Sequence, residues 1–91
     1  MKTYIFSYNN HSEYTNAELD NILRILLSKF GDFKKDMEFS FIIASNRNAQ
    51  FIADAIINDV PKLRFLITEI ASNRQGWLPK ETWDFIKENS D

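Results

Sequence analysis

The chain predicts an α+β domain, an antiparallel sheet with helices packed against it. Three observations carry this prediction. A run rich in aromatic and β-branched residues opens the chain, and comparable runs recur at residues 38–44 and 62–70. Two longer segments between them place apolar residues at helical spacing, Leu19 to Phe30 and Ala49 to Val60. Only two Gly and two Pro interrupt 91 residues, of which 44 % are hydrophobic, so the material suffices for one core. The chain is read as a single domain over 1–91, with the tail 88–91 expected to be disordered.

The first strand is Lys2-Thr3-Tyr4-Ile5-Phe6-Ser7-Tyr8, which stops abruptly at Asn9-Asn10-His11-Ser12. Thr15-Asn16-Ala17-Glu18 then has the form of a capping box. The Thr15 hydroxyl accepts a backbone N–H of the first turn, and the Glu18 carboxylate reaches back to the Thr15 N–H. Leu19, Ile22, Leu23, Leu26, Leu27 and Phe30 follow on one helical face, and Gly31 is placed to end the helix. Leu23 and Leu26 stand in the middle of that stripe and are expected in the core.

Residues 33–37 predict a brief second strand with a turn around Lys35-Asp36. Residues 38–44 alternate and then become continuously apolar, as a strand covered on one face and partly on the other would. Ser45 to Asn48 offers several N-cap candidates for a second helix, whose inner stripe is Ala49, Ile52, Ala53, Ile56 and Val60. Pro61 ends it. In the last strand, 62–70, Leu63, Phe65 and Ile67 share one face while Arg64, Leu66 and Thr68 share the other. After a polar loop at 71–76, residues 77–86 predict a short terminal helix with Pro79 at its first position.

Strand, helix, strand, strand, helix, strand is the split βαβ order of a ferredoxin-like βαββαβ sandwich, here with a short C-terminal helix added. Two helices cover one sheet face. The other face carries Tyr4, Phe6 and Tyr8, or their alternates, and needs covering by the terminal helix, by a second copy, or by both. The surplus of aromatic strand residues over what two short helices can cover predicts a homodimer.

Composition excludes several classes of chemistry. The absence of cysteine removes disulfides, thiolate metal sites and a Cys nucleophile, and suits the cytoplasm. The longest apolar runs are far short of a membrane span, and the first residues lack a signal-peptide layout. The single His11 builds no zinc site without Cys beside it. A net charge of −2 gives no bulk attraction to nucleic acid, so such binding needs a local basic patch.

Lys34, Lys35, Arg47 and Arg74 are the candidate nucleic-acid contacts, although Asp32, Asp36 and Glu38 interleave with the lysines and favour a solvated mixed-charge surface. His11 could act as an acid or base, but a lone His in a polar loop is more often solvated. The Asn9-Asn10 pair could hold a ligand, yet loop chemistry alone accounts for it. Trp77 and Trp83 are not on one helical face. Both could pack in the core, or one could anchor the tail on the sheet and leave the other for a partner.

Three passages carry a family resemblance. They are the opening Met1-Lys2-Thr3-Tyr4-Ile5-Phe6-Ser7-Tyr8-Asn9, the strand passage Arg64-Phe65-Leu66-Ile67-Thr68-Glu69-Ile70, and the ending Gly76-Trp77-Leu78-Pro79-Lys80-Glu81-Thr82-Trp83-Asp84-Phe85-Ile86. Together they resemble the small ferredoxin-like proteins grouped with the CRISPR-associated spacer-acquisition subunit and the virulence-associated protein D toxins, often filed as SinR-like. In element order the resemblance covers nearly the whole chain; in residues it is specific at the two ends. It implies a homodimer that meets through its sheets. For several members it also implies a metal-dependent nuclease, with an Asp at the carboxyl end of the first strand, commonly after a Tyr.

The matching positions here are Tyr8 and Asn9. A hard cation wants anionic oxygens, and an Asn carbonyl supplies an oxygen without the charge. The resemblance with this departure implies a cytoplasmic, non-catalytic homodimeric binding or structural module of a mobile-element or defence system. No cofactor, no metal and no membrane are expected. The alternative is a metal-dependent endoribonuclease that recruits other carboxylates, Glu13 or Glu69. A small-molecule sensor of the regulatory ferredoxin-like type is disfavoured by the scarcity of Gly.

Overall fold

Strand β1 (Lys2–Asn9) organises the sheet, with Tyr4, Phe6 and Tyr8 on one face and Thr3, Ile5, Ser7 and Asn9 on the other. A computed structural model describes residues 1–90. It continues with α1 (Asn16–Leu27), β2 (Gly31–Met37), β3 (Ser40–Ser45), α2 (Ala49–Asp59), β4 (Arg64–Glu69) and α3 (Lys80–Asn89). The strands lie in the order β2-β3-β1-β4, every neighbour antiparallel. It follows that β1 and β2 run parallel with β3 between them, and β3 and β4 run parallel with β1 between them. The fold is thus α+β, a four-stranded antiparallel sheet with three helices.

Register decides what the helices cover. Phe6 stands opposite Phe41 of β3 and Ile67 of β4, and Tyr8 stands opposite Phe65. These side chains share one face, over which α1 brings Leu19, Leu23 and Leu27, and α2 brings Ile52 and Ile56. Phe6, Leu23, Phe41, Ile52 and Ile56 are wholly buried there, and Leu26 is buried beside them. The rings of Phe6 and Tyr8 stack at 5.2 Å, and Phe65 meets Phe6 edge-on at 5.5 Å. The aromatic residues of β1 therefore lie under the protein's own helices, and the surplus from which a dimer was expected is consumed within one chain.

The capping box is present: Glu18 N donates to Thr15 Oγ1 at 3.1 Å, and Thr15 N donates to Glu18 Oε1 at 2.9 Å. Among the candidate caps of α2 it is Asn48 that accepts, from Phe51 N at 2.8 Å. Gly31 has another task than ending α1, which closes at Ser28 in the right-handed region. It opens β2, where an added Cβ would lie 1.9 Å from the Ala44 carbonyl oxygen. Close strand approach is what requires glycine there.

Three element boundaries differ from expectation. Lys35-Asp36 is not a turn but part of β2, which is irregular in register between Lys34 and Met37. The turn falls at Glu38-Phe39, so β3 begins at Ser40. The terminal helix starts at Lys80, with Pro79 as its cap and Trp77 outside it.

α3 lies on the other sheet face. Phe85 and Ile86 pack on Ile42 and Ala44, with Trp83, Leu78 and Ile70 at the margin. The Thr82 hydroxyl donates to the Asp36 carboxylate, and the Ser90 and Thr3 hydroxyls bond at 2.7 Å. Of the tail 88–91, Glu88 and Asn89 are helical and Ser90 is tied to β1, while Asp91 lies outside the described residues. Among the described residues no helix is long and apolar enough to cross a membrane.

Candidate functional site

β1 ends on Tyr8 and Asn9, and strand alternation sends them to opposite faces. Asn9 is exposed on the α3 side, across from Arg64 and on the same face as Ser7 and Leu66. Its carbonyl accepts from His11 N at 3.0 Å. His11 is exposed beside it. Asn10 works as a loop tie: its Nδ2 donates to Tyr14 O at 2.9 Å and Asn16 Oδ1 at 2.8 Å, while its Oδ1 accepts from Ser12.

Glu69 does not come to Asn9 within the chain. Glu69 pairs with Lys2 at 3.3 Å and stands opposite Tyr4, at the far end of β4 from Arg64. At about 3.3 Å per strand residue, that is on the order of 16 Å away. Glu13 lies 3.9 Å from Lys62. Among the described residues no group of three His, Asp or Glu side chains comes together.

Tyr8 faces the other way, into a cleft lined by Asp20 and Arg24 of α1 and by Lys35, Glu38 and Phe39 of the β2–β3 hairpin. The residue is 6 % exposed. Asn16, Asp20 and Arg24 recur at every fourth position and so form one polar stripe beside the apolar one. Arg24 Nε donates to Asp20 Oδ2 at 2.7 Å. Lys35 Nζ lies 3.7 Å from Asp20 Oδ1 and donates to the carbonyls of Met37, at 3.2 Å, and Glu38. Lys35 stands two residues after Phe33 and so shares its helix-side face, with its side chain 14 % exposed. Its ammonium sits 4.9 Å from the Phe41 ring centre, and the Arg24 guanidinium sits 5.8 Å from the same ring. Burial first, and then the Asp20 carboxylate, push the Tyr8 phenol above its ordinary value, so it remains a hydrogen-bond donor at neutral pH.

The four basic candidates are not gathered into one surface. Lys34 pairs with Ile42 and shares its α3-side face, opposite to Lys35. Arg47 follows the end of β3 and stacks its guanidinium 4.5 Å from the Phe51 ring. Arg74 sits in the loop after β4 and donates to Ala71 O at 3.2 Å. The two tryptophans part company as well. Trp83 packs against the α3 cluster, whereas Trp77 is 95 % exposed at the rim of an apolar groove that includes Ile5, Met37 and Ile42.

The sequence reading missed the Tyr8 cleft. Its one visible signal was the Asp20–Arg24 spacing along α1. The rest needed Lys35 on the helix side, which strand alternation counted from a turn at Lys35-Asp36 does not provide. Comparison with protein-family models, with curated proteins and with solved structures gives no match.

Proposed function

We propose that the chain is a ferredoxin-like, homodimeric binding or structural module of the cytoplasm that does not itself catalyse, in a mobile-element or defence setting. The strand order β2-β3-β1-β4 with its two parallel crossovers supports the ferredoxin-like assignment. The setting rests on the resemblance of the opening, β4 and C-terminal passages.

One observation carries the dimer. On the sheet face opposite α1 and α2, α3 covers β3 and the start of β1 but leaves Leu66 of β4 66 % exposed, on the same side as the uncovered Trp77. β4 is also an edge strand, bonded only to β1, so its outer backbone groups are open to a second copy. Light scattering at micromolar concentration should give about twice the chain mass of 10.7 kDa. Leu66→Lys should return the mass to a single chain with an unchanged denaturation midpoint. A single-chain mass for the unaltered protein at every dilution would overturn the dimer.

The absence of catalysis rests on Asn9 and on the distance of Glu69 from it. A cleavage assay titrated with magnesium and manganese, on single- and double-stranded substrates, should show no cleavage by the unaltered protein. Activity in Asn9→Asp alone would support both the family assignment and a lost metal site. Chelator-sensitive cleavage by the unaltered protein, abolished on replacing Glu13 or Glu69, would establish the endoribonuclease alternative.

A further inference from the structure

Resting on the dimer proposed above, we infer that two copies join edge to edge: their β4 strands pair antiparallel about a two-fold axis at Leu66, and the two sheets become one. The two edges of the sheet are built differently. β2 is guarded. Its register is irregular between Lys34 and Met37, and it carries Asp32, Lys34, Lys35 and Asp36. Phe33 N donates to the neighbouring Asp32 Oδ1 at 2.9 Å, and Lys35 Nζ donates to the Met37 carbonyl at 3.2 Å. Irregular register, charge and occupied backbone groups keep an edge from pairing. β4 has none of these devices. It stays in register with β1 over all six of its residues, and nothing between Arg64 and Glu69 is charged.

The open backbone groups of β4 follow from its ladder. Ile70 N, just past the strand, donates to Thr3 O at 2.8 Å. Backbone groups of alternate residues turn the same way, so Arg64, Leu66 and Thr68 bond to β1 while Phe65, Ile67 and Glu69 point outward. None of these three outward residues has a backbone partner among the described residues.

What fits this edge is a second copy of itself. An axis at Leu66 sets Phe65 of each copy against Ile67 of the other. Both residues point outward, so each such pair can exchange both of its hydrogen bonds. Leu66 then meets its own counterpart on the α3 side, where it is otherwise 66 % exposed, and Arg64 falls against Thr68. Apolar residues oppose apolar ones, and polar oppose polar. An axis at Ile67 would use the same outward groups but set Phe65 against Glu69 and Leu66 against Thr68. Charge selects the antiparallel sense. It runs the Arg64 end of one strand toward the Glu69 end of the other, whereas parallel pairing lays Arg64 along Arg64.

The chain has no cysteine, so single introduced thiols report the register without background. Directly opposed residues of a non-hydrogen-bonded pair lie about 4.5 Å apart at Cα, within the reach of a disulfide. Under mild oxidation at micromolar concentration, Leu66→Cys should convert for the most part to a linked dimer that reductant reverses. Arg64→Cys and Thr68→Cys should each stay unlinked alone, and link to one another when mixed under reductant and then oxidised. Ile67→Cys, diagonal to itself, should stay unlinked. Light scattering separates the pairing from the dimer it rests on. Doubled mass for the unaltered protein with no linkage in Leu66→Cys, or with linkage in Ile67→Cys instead, would overturn the pairing and leave the dimer standing; a single-chain mass removes both. Amide exchange gives a second reading without thiols. Phe65 and Ile67 amides should exchange about tenfold or more slowly in the unaltered protein than in Leu66→Lys. Equal rates would likewise overturn the pairing.

Discussion

The two faces of the sheet are held in different ways. Under α1 and α2 the contact is dry and aromatic, with Phe6, Phe41, Leu23, Ile52 and Ile56 closed from water and rings stacked on rings. Under α3 the contact is a small cluster around Ile42, Ala44, Phe85 and Ile86, bordered by a groove and fastened by hydroxyl groups of Thr82 and Ser90. The difference teaches which side does what. The first face builds the domain. The second is left partly open, with Leu66 and Trp77 uncovered, and is the face available to another molecule.

The comparison breaks most visibly at Leu23 and Leu26. Leu→Ala at either position should cost about 2–5 kcal/mol in denaturant titration, a large share of the stability of so small a domain. A loss below about 0.5 kcal/mol would mean that this face is not the core.

Ile86→Ala should cost less, about 2 kcal/mol, because the α3 cluster borders an open groove into which neighbours can relax. Helical content from α1 and α2 should survive that substitution. If Ile86→Ala destabilises as much as Leu23→Ala, the two faces are equal partners and the distinction fails.

Thr15→Ala should cost about 1 kcal/mol by removing the hydroxyl that caps α1, measured by the shift of the same titration midpoint. A smaller, pH-dependent effect belongs to Glu18. Its hydrogen bonds from Thr15, the backbone N–H foremost, hold its carboxyl below the ordinary value. The stabilisation is therefore fully present above the usual carboxylate range and lost as pH falls through the lowered folded value. In Glu18→Gln that component of the acid dependence should disappear.

Much of the fold was legible because it is written in local patterns. Thr15 and Glu18 at their spacing are a helix start in any context, and Leu19, Leu23 and Leu26 mark its inner face without reference to the rest of the chain. The split order of Leu63, Phe65 and Ile67 against Arg64, Leu66 and Thr68 likewise needed only the period of a strand. Leu63, Phe65 and Ile67 do belong to the main core. Asn9 was legible as a position, though not its separation from Glu69, which depends on how β4 is registered against β1.

By itself, then, the sequence determined the elements, their approximate order and the apolar stripe of each helix, since these follow from periodicities of a few residues. Tertiary structure decided which face of β1 the helices cover, where Lys35 points and why Gly31 is a glycine. Those depend on strand register: Tyr8 reaches its cleft because β1 pairs Phe6 with Phe41, and Lys35 turns toward Asp20 because β2 runs on past Phe33, which pairs with Ile43. A one-residue change of register sends every side chain of a strand to the other face. No local pattern in β2 carries that information, because it resides in the pairing of residues distant along the chain.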